Sequence, residues 1–332
     1  MKILVTGGAG FIGSNFIRYV MSRNPSCEIV NLDKLSYAGN PENLRGIDDN
    51  PNYTFIKGDI CDHSVVEKAM EGCDYVVNFA AESHVDRSIH GADEFIISNV
   101  LGTNVLLEKA RLKGISRFIH ISTDEVYGSI DKGSFDESSL LAPNSPYSAS
   151  KAAAEHMCRA YYITWGLPVV ITRSSNNFGP YQYPEKFVAL SVTNLVEDKK
   201  IPLYGDGKNV RDWLFVEDNC DGIYFVLNRG RAGEVYNIAG GYEMMNMDMV
   251  HAILKAMGKG PEMVEYVKDR LGHDRRYSLD DSKLRAMGWK PNHTFAEALD
   301  KTVKWYSENR DWWMKVKHKD SYKTYYKKQY KA

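Results

Sequence analysis

Thr6-Gly7-Gly8-Ala9-Gly10-Phe11-Ile12-Gly13 follows the apolar run Ile3-Leu4-Val5 and leads into a helix-like stretch. Its glycines Gly7, Gly10 and Gly13 sit where a strand passes into a helix. Glycine leaves room for backbone to approach a pyrophosphate. The helix N-terminus beyond it offers free N–H groups and a partial positive charge. From Phe11 to Ser22 the residues Phe11, Ile12, Phe16, Ile17, Val20 and Met21 recur at helical spacing. Asp33 ends the next strand, about 20 residues after Gly13. A carboxylate there accepts hydrogen bonds from both ribose hydroxyls and repels a 2′-phosphate, so the pattern favours NAD over NADP. The plainer alternative is a structural turn with Asp33 as a helix cap, and the order of the elements that follow weighs against it.

Outward from this turn, β-rich runs alternate with helical stretches. Strands are predicted at Glu28–Leu32, Tyr53–Lys57, Tyr75–Phe79, Arg117–Ser122 and Pro168–Thr172. Helices are predicted at Ser64–Met70, Asp93–Lys113 and Ser148–Trp165. That order implies an α/β fold, a doubly wound parallel sheet of Rossmann type with right-handed crossovers. Past Arg173 the pattern loosens. Ser174 to Pro184 is predicted as loop, Lys186–Asp198 and Asp218–Asn228 as helices, and Leu203–Gly207 as a turn. Val210–Phe215 and Val235–Ala239 are predicted as strands, and the remainder as mostly helical. The expected division is an NAD-binding part over 1–178, with a return segment at about 211–241, and a smaller, mostly helical substrate part over 179–332. The tail after Met314 holds seven lysines and four tyrosines. It is expected to be a solvated helix, with Trp312 and Trp313 as packing.

Composition excludes several classes. The 332 residues are 43% hydrophobic and 26% charged with net charge -1, which offers no general attraction for nucleic acid or an anionic membrane. No apolar run approaches the roughly 18 residues of a membrane span. Cys27, Cys61, Cys73, Cys158 and Cys220 are odd in number and scattered, without metal spacing, and suit reduced buried thiols of a cytoplasmic protein. No metal site is expected.

The chemistry is carried by two segments, Ser122-Thr123-Asp124-Glu125-Val126-Tyr127-Gly128 and Tyr147-Ser148-Ala149-Ser150-Lys151. Tyr147 and Lys151 are four apart and share a helix face. An ammonium beside a phenol stabilises phenolate, so Lys151 is expected to lower the Tyr147 pKa. Thr123 is placed to hydrogen-bond the reacting hydroxyl. Asp124 and Glu125 add adjacent carboxyl groups at a strand end, which an enzyme that only oxidises does not need. Elimination of water needs an acid and a base, and neighbouring carboxyls disfavour double ionisation, which keeps one of them protonated. Further strand ends supply Asp59 and Ile60 towards the adenine, Phe79, Ala80, Ala81, Glu82, Ser83 and His84, and Ser174 to Asn177. His84 is expected to be a buried supporting residue rather than a ligand.

These residues resemble the extended short-chain dehydrogenase/reductase family, and within it the nucleotide-sugar 4,6-dehydratases, most closely the branch acting on dTDP-glucose. The resemblance rests on Thr6–Gly13, Asp33 to Asn40, Ala80 to Ser88, Ser122–Gly128 and Tyr147–Lys151. It continues through Ser175 to Tyr181 with Pro184-Glu185-Lys186, Arg211-Asp212-Trp213, and Asp269 to Tyr277. Leu271 departs from the pattern, since proline is usual there, and is expected to loosen the loop over the nucleotide. The resemblance implies that Tyr147, with Thr123 and Lys151, takes the proton of the sugar 4-hydroxyl as NAD takes hydride. It implies that Glu125 removes the proton on carbon 5 and that Asp124 protonates the departing 6-hydroxyl. It adds Lys34, Leu35, Ser36, Ser98 and Asn177 to the cofactor site. For the substrate it implies Ser83, Thr123, Asn176, Lys186, Phe187, Pro202, Tyr204, Arg211, Asn246, Asp269, Arg270 and His273. Arg211 is expected to meet phosphate, or else to pair with Asp212 or Asp218, and Arg275 and Arg276 are left between ligand contact and salt bridge. A homodimer joined by helices of the first part is implied in the same way. UDP- or CDP-glucose as substrate stays open. A sugar 4-epimerase is the nearest rival and a non-catalytic NAD sensor a more distant one. The carboxyl pair argues against the epimerase, and the intact proton relay of Thr123, Tyr147 and Lys151 against the sensor.

Overall fold

The structure, a computed structural model, describes residues 1–269 and 272–330. Seven strands form one parallel sheet: β1 (Lys2–Thr6), β2 (Glu28–Asp33), β3 (Tyr53–Lys57), β4 (Tyr75–Asn78), β5 (Arg117–Thr123), β6 (Val169–Ser174) and β10 (Val235–Ile238). Their order is β10-β6-β5-β4-β1-β2-β3. The chain leaves β1 towards β2 and β3, then crosses back to β4, so the order reverses between β1 and β4. Ligands bind at the carboxyl ends of strands beside such a reversal. Side chains alternate between the faces of a strand. Ile3 and Val5 accordingly join one buried cluster with Phe16 and Ile17, while Leu4 joins the other with Val76, Leu106 and Phe118.

The helix Phe11–Arg23 begins directly after the glycine turn. Two of its glycines are required by geometry. Gly7 has φ +70, and a Cβ there would stand 2.6 Å from the Ala80 nitrogen; at Gly13 a Cβ would stand 2.4 Å from the Gly7 carbonyl oxygen. The helix that carries Tyr147 spans Pro146–Trp165, starting earlier than the predicted Ser148. Ser145 and Ser148 form a reciprocal capping box at its start, and Pro146 occupies the first turn, where its missing N–H costs nothing. The predicted helix Asp93–Lys113 is interrupted: Ile96–Leu101 is a π-helical stretch before the regular helix Gly102–Lys113.

Outside the large sheet, β7 (Asn176–Phe178), β9 (Val210–Phe215) and β11 (Glu243–Met245) form a three-stranded sheet in the order β11-β9-β7. A two-stranded parallel sheet joins β8 (Ile201–Tyr204) to β12 (Val264–Val267). Three sequence expectations change here. Ile201–Tyr204 is a strand before the turn, not part of it, and Asn176–Phe178 is a strand inside the predicted loop. The region after Ala239 contains two strands among its helices. Pro202 obscured β8, yet in a two-stranded sheet each strand is an edge, where a missing N–H is tolerated. The final helices are Phe295–Glu308, Arg310–Lys317 and Asp320–Tyr330. Trp312 and Trp313 pack as expected; their indole nitrogens donate to Asn43 Oδ1 at 2.9 Å and to the Tyr306 carbonyl at 2.8 Å. The last helix is solvated on one face, as expected, and packed on the other. Tyr322 is buried and donates to the Pro184 carbonyl at 3.1 Å, and Gln329 Nε2 donates to the Tyr204 hydroxyl at 2.7 Å. Cys27, Cys158 and Cys220 are buried and Cys61 and Cys73 half-buried; all are free thiols. Among the described residues no helix is long and apolar enough to cross a membrane, and no His, Cys, Asp and Glu cluster could hold a metal.

Candidate active site

A cleft of about 1200 Å³, open to solvent, lies at the carboxyl ends of β1, β2 and β4. Gly7, Gly10, Phe11, Ile12 and Gly13 line it from the glycine turn, and Asp33, Lys34 and Ser36 from the end of β2. Asp59 and Ile60 follow β3, Phe79, Ala80, Ala81 and Ser83 follow β4, and Ser98, Tyr147 and Lys151 complete the wall. Asp33 is buried, and its carboxylate accepts the Ala9 amide at 2.9 Å and the Leu35 amide at 2.7 Å. Burial pushes its pKa up and those amides pull it down. These residues fit a dinucleotide: backbone that tolerates no Cβ for the pyrophosphate, and a buried carboxylate for the ribose. Two of the expected cofactor residues stand apart from this wall. Leu35 is not part of the cleft wall; it has φ +57 and contributes its amide to Asp33. Asn177 lines a neighbouring cavity instead, because β7 carries it towards the second part of the chain.

All five expected catalytic residues converge. Thr123 ends β5 and caps the short 3₁₀ turn Asp124–Tyr127. Its hydroxyl accepts the Glu125 amide at 3.3 Å and donates to Asp124 Oδ1 at 3.1 Å. It also stands close enough to the Tyr147 phenol to influence its titration. Burial, then the neighbouring Glu125 charge, pushes Asp124 up to about 8. Burial pushes Tyr147 up as well, Glu125 adds to this, and Thr123 pulls the other way. The expected lowering of the phenol by Lys151 is therefore not what dominates this site. Lys151 Nζ donates to the Ile121 carbonyl at 2.6 Å and lies 3.5 Å from His120 Nε2. Burial lowers its own pKa to about 8.

A second cavity, of about 920 Å³, adjoins the first. Glu125, Asn176, Lys186, Phe187, Pro202 and Tyr204 line it, with Arg211, Asn246 and His273. Thr123 and Asp124 are buried beside it rather than on its wall. Ser83 stays in the cofactor cleft, where its carbonyl accepts Lys186 Nζ at 3.1 Å. Asp269 stands behind His273, Oδ1 to Nδ1 2.6 Å. Arg270 and Leu271 lie outside the described residues. Arg211 donates to the Val210 carbonyl at 2.7 Å and the Asp274 carbonyl at 2.9 Å and lies over the Tyr277 ring. The anticipated partners of Arg211 are engaged elsewhere: Asp212 accepts the Gly240 and Tyr242 amides, and Asp218 holds Asn292 and His293. Arg275 and Arg276 form salt bridges with Asp206 and Glu243. His84 is buried, with Nε2 3.6 Å from Glu185 Oε1, and lines this cavity.

Several wall residues had no separate role in the sequence. Gln182 and Glu185 line both cavities, as Lys186 does, and Tyr37 and Tyr183 line the first. Tyr37 and Glu185 stood inside the recognised motifs. Tyr330, stacked on Tyr204 with ring centres 5.8 Å apart, lines the second cavity and carries no local signal.

The chain is similar to known proteins in sequence and fold. A family model described as GDP-mannose 4,6 dehydratase matches residues 4–302. A dTDP-glucose 4,6-dehydratase of Streptomyces niveus is 51% identical over 325 residues, 96% of this chain and 97% of the relative. The crystal structure of DesIV, a dTDP-glucose 4,6-dehydratase from Streptomyces venezuelae with NAD and TYD bound, superposes with a TM-score of 0.93 at 51% identity, covering 95% of this chain and 100% of that one. A UDP-glucuronic acid 4-epimerase from Bacillus cereus superposes with a TM-score of 0.87 at only 29% identity, covering 93% and 99%. Matched over most of its length by that family model and by relatives half identical to it, the chain belongs to the GDP-mannose 4,6 dehydratase family.

Proposed function

We propose that the chain is an NAD-dependent hydro-lyase, a dTDP-glucose 4,6-dehydratase. It converts dTDP-glucose to dTDP-4-keto-6-deoxy-glucose and water. The observation that carries this reading is the pair Asp124 and Glu125 beside Tyr147: one carboxyl is buried and pushed up to about 8, and the other faces the second cavity. One site thus holds a carboxylic acid that stays protonated at neutral pH and a second carboxyl group exposed to the substrate. NAD, held by the glycine turn and Asp33, would supply the acceptor and later donor of the hydride, and its positive charge in the oxidised form would favour phenolate.

Tyr147, beside Thr123, takes the 4-hydroxyl proton. Lys151, anchored to the Ile121 carbonyl, holds positive charge below the cofactor cleft. The resulting 4-ketone acidifies carbon 5, and Glu125 removes that proton. Asp124 protonates the 6-hydroxyl, which leaves as water. Glu125 returns its proton to carbon 5 as carbon 6 is reduced. Lys186, at the junction of the two cavities, and Arg211 are the cations proposed for the diphosphate. Pro202, Tyr204 and His273 are proposed for the nucleoside, with Phe187, Asn176 and Asn246. Arg270 is proposed for a phosphate on resemblance alone.

The same reading divides the chain into an NAD-binding part over 1–178 with its return segment, and a nucleotide-sugar part over 179–332. The order of the large sheet, with β10 returning to it, supports the division. A cytoplasmic homodimer belongs to the reading too. Its support is the exposed apolar set Ile96, Ile97, Leu101, Ile163 and Trp165 on neighbouring helical segments. The direct test incubates the purified protein with dTDP-, UDP- and CDP-glucose and follows the sugar nucleotide by mass spectrometry. Loss of one water from dTDP-glucose in preference to the others is expected. An unchanged mass with inversion at carbon 4 would sink the dehydratase in favour of an epimerase.

A further inference from the structure

His120 lies in the middle of β5 and is 0% exposed. Burying an imidazole costs free energy that an apolar side chain would not. Among the described residues each ring nitrogen faces one side chain: Nε2 lies 3.5 Å from Lys151 Nζ, and Nδ1 lies 3.4 Å from Asn78 Nδ2. The proposed reaction makes no use of this ring, yet it stands directly behind the lysine that the reaction needs.

Asn78, which ends β4, decides where the imidazole proton sits. Its Oδ1 accepts the Thr6 hydroxyl at 2.7 Å, a length usual for O–H···O and short for N–H···O. Thr6 Oγ1 also accepts the Ala80 amide at 3.3 Å, which leaves the hydroxyl proton for Asn78. The Asn78 amide is thereby oriented. Its Nδ2 points the other way, donating to Thr103 Oγ1 at 3.2 Å and facing His120 Nδ1. A ring nitrogen that meets an N–H is the acceptor, and in a neutral imidazole the other nitrogen then carries the proton. Burial, then the Lys151 charge, lowers the His120 pKa well below its usual value, so the ring is neutral. Nε2 therefore presents an N–H to Lys151. An amine can accept that N–H and an ammonium cannot.

We propose that His120 is a positioning residue for Lys151, held by Asn78 in the tautomer that turns an N–H towards the lysine and so favours its amine over its ammonium. The inference rests on the dehydratase reading, in which the ammonium supports the Tyr147 phenolate. Burial works in the same direction as His120 and lowers the Lys151 pKa to about 8. The opposing groups lie on the lysine's own helix: Glu155, one turn further on, and Cys158 favour the ammonium. Glu155 is in turn gripped by Arg173 of β6, whose Nε donates to it at 3.0 Å. Tyr147 stands one turn earlier, and Asp124 and Glu125, from the turn after β5, act on that phenol. His120 thus tempers what Glu155 favours. The hydride step should lose rate as pH rises through about 8, where the ammonium gives up its proton.

The test has two readings. Imidazole nitrogen chemical shifts separate protonated from unprotonated ring nitrogens. In the NAD-loaded wild-type protein at neutral pH, with His120 assigned by its loss in His120→Leu, Nδ1 should be unprotonated and Nε2 protonated. The reverse tautomer, or a ring protonated on both nitrogens, would overturn the role. The second reading is the pH dependence of NAD reduction by dTDP-glucose, taken with Glu125→Gln present so that reduced cofactor accumulates. Asn78→Asp gives Nδ1 an acceptor and turns the N–H away from the lysine. The pH at which the step slows should rise by about one unit, tenfold in proton affinity. A buried carboxylate also acts through its charge, so the shift is measured again with His120→Leu added, where it should shrink to about half or less. Asp124 is the same in all these proteins and drops out of the comparison. An equal shift with and without His120→Leu would mean that the carboxylate acts by charge alone, and would overturn the role of the imidazole. NAD that dTDP-glucose leaves oxidised in wild type and variants alike would overturn the dehydratase reading. The nitrogen shifts, read without substrate, keep the two failures apart.

Discussion

At the residue scale, two adjacent carboxyl groups differ in what surrounds them. Asp124 is buried beside the Glu125 charge, and burial first and that charge second push its pKa up to about 8. A carboxyl group whose folded pKa is raised stabilises the fold fully below its unfolded pKa. It loses that contribution as pH rises through the folded value. Thermal stability should therefore decline from about pH 4 to about 8 through this residue, and Asp124→Asn should flatten that decline. A melting series in which wild type and variant keep the same slope would contradict the assignment. The same titration governs activity: water loss should drop as pH passes 8, where the acid is spent before it can act. Glu125→Gln separates the steps. The variant should still reduce bound NAD with dTDP-glucose, seen as nicotinamide absorbance, while elimination falls by about 10²- to 10⁴-fold. Water loss near the wild-type rate would remove Glu125 from the mechanism. The identities of these side chains were legible in the sequence; their differing environments were not. The raised Tyr147 pKa shows why. The Lys151 ammonium was expected from spacing alone to lower it, but burial of the phenol is the largest influence and raises it, and burial depends on elements distant in the chain.

At the element scale, the large sheet was readable because each strand is a short apolar run ending in a polar or small residue. β8 was missed because Pro202 and the Gly205-Asp206-Gly207 turn outweigh two apolar residues. The tail was legible only in part, for a different reason. Its lysines and tyrosines describe a polar helix, and only contacts with Tyr183, Pro184 and Tyr204, more than a hundred residues earlier, make it part of a wall. Tyr322 lies against Tyr183, and Tyr330 stacks on Tyr204 beside Pro202 and Asn246. Aromatic pairs of this kind contribute about 0.5–1.5 kcal/mol beyond the area they bury. Tyr330→Ala, which removes a ring that lines only the second cavity, should therefore open that cavity and leave the cofactor cleft in place. The expected result is a KM for dTDP-glucose raised about tenfold, with NAD affinity unchanged. Equal losses of both affinities in calorimetry would mean that the helix supports the fold as a whole instead of this wall.

At the scale of the whole molecule, the apolar surface is unevenly placed. Ile96, Ile97 and Leu101 are 55%, 45% and 49% exposed along the π-helical stretch, and Ile163 and Trp165 are 63% and 52% exposed at the end of the helix that carries Tyr147. Single exposed apolar residues are ordinary, but a group of large ones on adjoining helical segments is the kind of surface that a partner covers. A second copy of the chain is the proposed cover, through an interface of roughly 1,200–2,000 Å². Sedimentation of the purified protein should give twice the 37.7 kDa chain mass. The π-helical stretch links this surface to the site, because Ser98, which lies within it, lines the cofactor cleft. Leu101→Lys combined with Ile163→Glu places charges on both segments without touching a residue of the site. That variant should sediment as a single chain and bind NAD more weakly, by about tenfold, as the stretch loses its support. Wild-type protein that sediments at one chain mass at micromolar concentration would refute the dimer. A monomeric double variant with full NAD affinity would show that the cofactor cleft does not depend on the partner.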